Sequence, residues 1–340
     1  MEKRKIEKHR FSDEIVDELV PLTKIGNWRI VLLVAEDYVI IGFCIALCLS
    51  VSWLFYPLAW LVIGSRQRGL ANIMHAAAHG TAACHPAWNY MVGTVFAGYL
   101  VGQQFVRYIQ THVVRHHGMF GTESADPDYR QQIELGFYLI KNPRQFYNKF
   151  VRNALLGLMI PKYILYIVKD RFLSFRESGF PEVRSIVTAQ QDRIFFTIQW
   201  LVILTASVYF GFFWILIAFW IVPLFTSAMI IGWFIELSEH FPLMESGEKD
   251  IYMSRNRQGN FIEHFLAGVH NDDYHLEHHL NPRIPMWNLK KASKIRAKDP
   301  EYQRWNKSCA GIFSRGEGAM YGDTLFQHIA KEHLIERRKA

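Results

Sequence analysis

Two long runs of uncharged, mostly apolar residues separate the hydrophobic regions of the chain from the charged ones. The longer run extends from Ile194 to Ile235. As a helix rising ~1.5 Å per residue it would be about 63 Å long, roughly twice the thickness of a bilayer core, so it predicts two membrane-spanning helices in a hairpin. The shorter run, from Tyr38 to Ser65, predicts a second hairpin if the apolar patch Ile30 to Ala35 and the helix after Pro57 extend it. The alternative is a buried hairpin in a soluble helical protein.

Two further apolar stretches are not counted as spans. The stretch from Thr81 to Val106 lies between two groups of histidines that must meet on one side of the membrane, so we expect it to be re-entrant, interfacial or buried. The same expectation applies to the stretch from Ala154 to Tyr163, which contains Pro161 and Lys162. The sequence therefore predicts four transmembrane helices.

The distribution of charge gives the orientation. With four spans, every Lys and Arg falls on one side, and both hairpin tips are uncharged. The positive-inside rule then places both termini in the cytoplasm, in a bacterial inner membrane or the endoplasmic reticulum. The predicted fold is an all-α integral membrane protein with a cytoplasmic helical cap. Its expected parts are a cytoplasmic N-terminal segment (1–29), a membrane domain (30–300) and a cytoplasmic C-terminal tail (301–340).

Composition narrows the classes of protein. Half of the 340 residues are hydrophobic and 15% are aromatic, which excludes a disordered or fibrous chain. The net charge of +7 is not concentrated, so it does not argue for nucleic-acid binding. The four cysteines show neither a disulfide framework nor a zinc pattern, and the charged N-terminal segment does not resemble a cleaved signal peptide.

The histidines carry the chemistry. Eight of the 15 histidines lie in three short boxes: His75-Ala-Ala-Ala-His79, His112-Val-Val-Arg-His116-His117 and His275-Leu-Glu-His278-His279. Residues three and four apart share a helix face, so each box can direct several imidazoles at one point. Neutral imidazole is the commonest metal ligand, and eight ligands exceed the four that one tetrahedral zinc accepts. The boxes therefore predict a two-metal site, although imidazole alone suits zinc, copper, iron or nickel.

The position of the boxes along the chain narrows the functions that the predicted metals could serve. His75 lies shortly after the second predicted span, and the other boxes fall in cytoplasmic segments, whereas a metal transporter would carry ligands inside its spans. An apolar substrate chain could be presented to metals that are held just outside the bilayer. This arrangement suits the oxidation of an unactivated C–H bond.

The three boxes, in this order and interleaved with two hydrophobic hairpins, resemble those of the membrane fatty acid desaturase and hydroxylase superfamily. The resemblance covers roughly residues 30 to 300 and includes Ala-Asp-Pro-Asp, which ends at Asp128, and Leu280 to Pro285 after the third box. It implies two Fe ions, O2 as co-substrate, and electrons from a separate ferredoxin-like or cytochrome-type donor with its reductase.

The resemblance also implies further site residues. His240 occupies the position of an additional ligand after the fourth span, and Glu236, on the same helix face, that of a polar residue that reaches a metal through water. A structural interfacial carboxylate is the alternative for Glu236. Metal-bound histidines usually donate their second N–H to a carboxylate or carbonyl, so Asp272 and Asp273 are candidate hydrogen-bond partners of the ligands. His270 would either support a ligand in the same way or have a purely structural role. Glu277 is a further candidate, whereas His264 has no assigned role.

The reaction and its substrate stay open at this point. Desaturation is favoured, with hydroxylation by the same superfamily as the alternative, and the substrate is an acyl lipid or thioester or a small aliphatic metabolite. The basic stretch from Arg283 to Lys298 would attract an acidic electron donor or anionic lipid. A zinc-dependent membrane hydrolase, with Glu236 or Glu239 as its base, is the alternative of a different class.

Overall fold

A computed structural model describes residues 4–168, 183–315 and 323–336. Within these ranges the chain forms helices and irregular connections without a β-strand, and Glu7 and Lys249 form an isolated β-bridge. The α-helices in chain order are α1 Asp13–Leu19, α2 Arg29–Ser50, α3 Tyr56–Ala78, α4 Pro86–Thr94, α5 Phe105–Tyr108, α6 Pro127–Glu134, α7 Pro143–Phe146, α8 Asn153–Leu155, α9 Ile160–Val168, α10 Ala189–Tyr209, α11 Phe213–Leu216, α12 Val222–Phe225, α13 Ser227–Glu239, α14 Leu243–Ser246, α15 Phe261–Ala267, α16 His275–Leu280, α17 Leu289–Arg296, α18 Pro300–Ser308 and α19 Leu325–Glu336.

Shorter and wider helical turns connect several of these helices. The 3₁₀ turns are Val20–Thr23, Trp53–Phe55, Gly98–Val101, Phe137–Leu139, Asp250–Tyr252, Val269–Asn271 and Met286–Asn288. Turns with π-helical geometry are Ile109–His117, Tyr147–Arg152 and Ile217–Ile221.

The chain divides into two compact units. The hairpin unit comprises residues 25–110 and 157–232, and the histidine-rich unit comprises residues 1–24, 111–156 and 233–340. Each unit is therefore built from segments that are distant in sequence.

The hairpin unit contains both helical hairpins that the uncharged runs predict. The turn between α2 and α3 contains Trp53–Phe55, and the turn between α10 and α11 contains Gly211, whose φ of 76° is a left-handed conformation that favours glycine. Within the described residues, two helical stretches, Arg29–Ser50 and Phe213–Glu239, are long and apolar enough to cross a membrane. The helical fold is thus confirmed, whereas the count of four spans stays a prediction.

Buried polar residues interrupt the apolar sequence of α3. Near its middle, this helix buries Arg66 and Gln67. The Arg66 guanidinium lies 3.8 Å from the buried carboxylate of Asp37, and the Gln67 amide donates to the carbonyl of Trp220 (2.8 Å). These side chains are tolerated because they find partners inside the unit.

The stretch between Thr81 and Val106 contains no continuous spanning helix. It is divided into α4, of nine residues, and the turn Gly98–Val101, of four residues. Buried Asp192 fixes its end, because its carboxylate accepts from the Tyr90 hydroxyl (3.1 Å) and from the Val106 N–H (2.9 Å). Nine residues span only about 14 Å as a helix, which is too short for a bilayer core.

An aromatic core holds the histidine-rich unit together. Its rings belong to Phe137, Phe146, Phe150, Trp233, Phe241 and Phe326. The Trp233 indole N–H also donates to the carbonyl of Phe150 (2.9 Å). Phe326 lies on α19, so the C-terminal part of the chain contributes to this core.

Candidate metal centre

Seven of the nine histidines proposed as ligands converge inside the histidine-rich unit. Three come from the π-helical turn Ile109–His117, one follows the end of α13, and three lie on α16. The wide π turn presents histidines five residues apart on one side, as the contact between His112 and His117 shows.

The seven imidazoles form two groups whose Nε2 atoms face one another. In the first group, the Nε2 atom of His117 lies 3.1 Å from that of His112 and 2.9 Å from that of His278. In the second group, successive Nε2 atoms are separated by 3.3 Å (His116 to His279), 3.1 Å (His279 to His275) and 2.9 Å (His275 to His240). Two sets of convergent nitrogen atoms are the arrangement that two metal ions require.

The first box lies in the hairpin unit. His75 and His79 occupy the end of α3, with ring centroids 5.0 Å apart. Their spacing of four residues places both rings on one side of the helix, as the sequence predicts.

For His116, His240 and His275, the ring nitrogen that faces away from the neighbouring imidazoles has an oxygen atom as its partner. The Nδ1 atom of His116 lies 2.9 Å from the carboxylate of Asp126, that of His240 lies 3.0 Å from the carbonyl oxygen of Met253, and that of His275 lies 3.3 Å from the carboxylate of Glu239. Each partner favours a proton on Nδ1, which leaves the Nε2 lone pair available to a metal.

Asp126 is fixed by the backbone around it. The carboxylate is fully buried and caps α6, accepting from the N–H groups of Gly121 (2.9 Å), Asp128 (3.0 Å) and Tyr129 (3.3 Å). Burial lowers the pKa of His116, but the charges of Asp126 and Asp128 outweigh that effect and raise it to about 9. Without a metal, the carboxylates therefore favour the protonated ring of His116, and a metal that binds Nε2 would displace the proton there and leave the one on Nδ1.

Arg257 holds a second outer carboxylate in place. Its buried guanidinium pairs with Glu239 and with Asp272 (2.9 Å), and it also donates to the carbonyl of Ala267 (3.0 Å). Although burial opposes the charge, the neighbouring carboxylates raise the pKa of Arg257 above its ordinary value. A permanent cation thus orients the carboxylate that meets His275.

Other imidazoles of the site are kept neutral. Burial, followed by the charge of His116, lowers the pKa of His240 well below its ordinary value. Burial and the neighbouring histidines do the same for His279. Neutral imidazole is the form that binds metals.

The helix α16 is anchored on the side away from these imidazoles. Glu277 is fully buried, pairs with Arg296 and accepts a hydrogen bond from the Tyr302 hydroxyl. The N–H of Leu276 donates to the side chain of Asn256 (3.0 Å). Rigid support of this kind fixes the ligands of a site within a narrow geometry.

The structure distributes the remaining candidates differently. Asp272 lies in a group with Glu239 and His275, whose ligand atoms are all within 4.8 Å of one another. Asp273 meets the Nδ1 atom of His264 (2.8 Å) instead. In the described part of the chain, Glu236 and His270 do not belong to the groups of converging ligand atoms, so their suggested roles stay predictions.

The sequence does not identify three residues that support the histidines. Asp126 and Asp128 appear in it only as part of a motif, and Arg257 carries no signal of a role at the site. The available signal for Asp126 was its place before Pro127, which is typical of a helix N-cap. No local signal identifies Arg257, since its partners lie 18 and 15 residues away in sequence.

Comparison with known proteins places this site in a class. The model of the family "Fatty acid desaturase" matches residues 51–308 and therefore covers all three histidine boxes. The chain belongs to the fatty acid desaturase family, within the desaturase and hydroxylase superfamily.

A curated relative is similar over most of its length. The dihydrorhizobitoxine desaturase of Bradyrhizobium elkanii is 40% identical over 307 residues, which is 90% of this chain and 86% of the relative. Family and relative together support an oxidoreductase of the desaturase type.

Proposed function

We propose that the protein is a membrane-bound, O2-dependent di-iron desaturase. The observation that carries the proposal is the pair of imidazole groups, each with Nε2 atoms directed at one another. Iron bound there would supply the O2 activation, driven by external electrons, that breaks unactivated C–H bonds. Two iron ions would be held by the following histidines: His75, His79, His112, His116, His117, His240, His275, His278 and His279.

The donor set fits iron. Imidazole is a suitable iron ligand, and the nearby carboxylates of Asp126 and Glu239 supply negative charge beside the cations. Seven converging imidazoles also exceed the requirement of a single zinc ion. A zinc hydrolase is therefore less well supported.

The residues that contact the Nδ1 atoms of the histidines orient the rings and set their protonation. Asp126, Glu239 and the carbonyl of Met253 keep Nδ1 protonated and fix the ring planes. Arg257 holds the carboxylate of Glu239 by an ion pair and so keeps it beside Nδ1 of His275. Ligands fixed in this way would not have to rearrange when a bound metal takes part in the reaction.

Desaturation is preferred to hydroxylation because of the relative's name. A desaturase that acts on a dihydro compound removes two hydrogens from it, and 40% identity over 90% of the chain supports the same type of reaction here. The substrate is an acyl chain, as a lipid or thioester, or a related small aliphatic metabolite.

The reaction type is tested with purified protein, O2, a reduced ferredoxin with its reductase, and dihydrorhizobitoxine or an octanoyl thioester as substrate. We expect about two irons per chain and a product two mass units lighter than the substrate. A product that gains one oxygen from isotopically labelled O2 would identify a hydroxylase. One zinc per chain, with product formed equally well without O2 or reductant, would contradict an oxidase.

We further propose four spans, with both termini, the N-terminal segment 1–29, the tail 301–340 and the site in the cytoplasm, and a membrane domain over 30–300. The supporting observation is that the hairpin turns, around Trp53 and Gly211, lack Lys and Arg. Reporter fusions at both termini and near Glu123 should report the cytoplasm, whereas fusions at the turns should not. A reporter near Glu123 on the opposite face would contradict this topology.

A further inference from the structure

The N-terminal segment, Arg4 to Thr23, lines a cavity of about 580 Å³ inside the histidine-rich unit. The wall of this cavity includes His117 and His279, one from each group of converging imidazoles. A volume of this size is typical of pockets for small organic ligands. The cavity is therefore placed to present a ligand to the candidate metal centre.

The segment is fixed in this position by contacts with distant residues. The Arg4 guanidinium donates to the carbonyls of Met244 and Gly247, the latter at 2.7 Å. The backbone N–H of His9 donates to the carboxylate of Asp250 (2.9 Å). The N-terminal segment is thus held in the wall of the cavity by specific hydrogen bonds.

Positive charge dominates the lining of the cavity. Arg4, Lys8 and Arg283 line it, and within the described residues none of the three pairs with a carboxylate. Arg296, which also lines it, is neutralised by Glu277, and Asp250 is a carboxylate of the lining. Three unpaired cations against one carboxylate favour an anionic ligand.

The rest of the lining is apolar. Ile6, Phe11 and Leu280 belong to it, and the Phe11 ring lies under the Arg296 guanidinium, 5.4 Å from ring centroid to charge. An amphipathic ligand with one anionic end and an aliphatic body would satisfy both kinds of surface.

We propose that this cavity binds an aliphatic substrate through a free carboxylate. Lys8 and Arg283 receive the carboxylate, and the aliphatic body lies against Phe11 and Leu280 beside His117. This assignment rests on the proposed oxidation at the histidine groups, because it names the class of substrate for that site. An anionic group could also be the phosphate of a carrier thioester, so the experiment includes both.

Calorimetry on protein in nanodiscs of zwitterionic lipid, with empty nanodiscs subtracted, tests the proposal. The probes are octanoate, its neutral analogue octanamide, and octanoyl-coenzyme A. We expect octanoate to bind at least ~10-fold more tightly than octanamide. The double variant Lys8→Gln/Arg283→Gln should weaken octanoate binding about tenfold, or about 1.4 kcal/mol, and leave octanamide binding unchanged.

The matched control is Lys290→Gln/Lys291→Gln. It removes the same charge from exposed positions of the same unit that do not line the cavity, so octanoate affinity should be unchanged. An equal loss in both double variants would show general surface attraction and overturn the proposal. Cation-dependent binding of octanoyl-coenzyme A without binding of octanoate would overturn it as well.

The measurement separates this inference from the proposed function. Charge-dependent octanoate binding by a protein that contains zinc and consumes no O2 would overturn the oxidase and leave the carboxylate site standing. The opposite result is an active desaturase that contains iron and whose octanoate affinity is unchanged by the Lys8 and Arg283 substitutions. That result would overturn only the carboxylate site.

Discussion

The variant His278→Ala is expected to retain its helical fold and lose at least about 100-fold in turnover. His278 belongs to the group with His112 and His117, and its Nε2 atom lies 2.9 Å from that of His117. Loss of a direct ligand removes one metal of a pair that acts as a unit. Iron per chain, measured on protein that elutes as a single species, should fall from about two toward one.

The control for this experiment is His85→Ala. His85 is exposed and precedes α4 in the hairpin unit, outside the histidine boxes, so iron content and turnover should both be retained. Normal turnover and normal iron content in His278→Ala would show that the three-histidine group does not hold a metal.

The variant Asp126→Asn should weaken iron binding by about 10- to 100-fold, because an outer partner sets the orientation and basicity of its histidine. Asparagine removes the charge beside His116. It also places an amide N–H₂ against backbone N–H groups that the carboxylate now accepts from, such as those of Gly121 and Asp128. Competition with a chelator of known affinity measures the loss.

Asp128→Asn is the matched substitution for that experiment. The Asp128 carboxylate lies 3.2 Å from the same ring nitrogen, but its side chain is 42% exposed and water can replace it. We expect a change of less than about threefold. If both variants weakened iron binding equally, the effect would come from overall charge and not from the orientation of His116.

Local spacing made most of the inner site predictable. The histidines of each box are three to five residues apart, so a helix turn alone brings them together. The two hairpins were also predictable, because a long uncharged run has few alternatives to a pair of helices. Burial of the middle of α3 was harder to predict. Arg66 and Gln67 are polar, and their partners, Asp37 and Trp220, are distant in sequence.

The outer residues could not be predicted for a different reason. The carbonyl of Met253 carries no side-chain signature, and Arg257 resembles many surface cations until Glu239 and Asp272 are folded against it. His270 and Asn271 both adopt left-handed backbone conformations just before the third box (φ 61° and 64°), which residues other than glycine rarely do. The direction in which α16 leaves this turn depends on that tertiary context.

The cavity beneath the N-terminal segment has a consequence for the order in which the protein is made. Met244, whose carbonyl accepts a hydrogen bond from Arg4, is synthesised 240 residues after it. Lys8 and Arg283 line the same cavity, so its cationic lining is incomplete until Arg283 has also been synthesised. Contacts so distant along the chain form late in folding. The segment therefore remains without these partners until residues 244 to 283 have been synthesised, and the lining of the cavity is complete only after that.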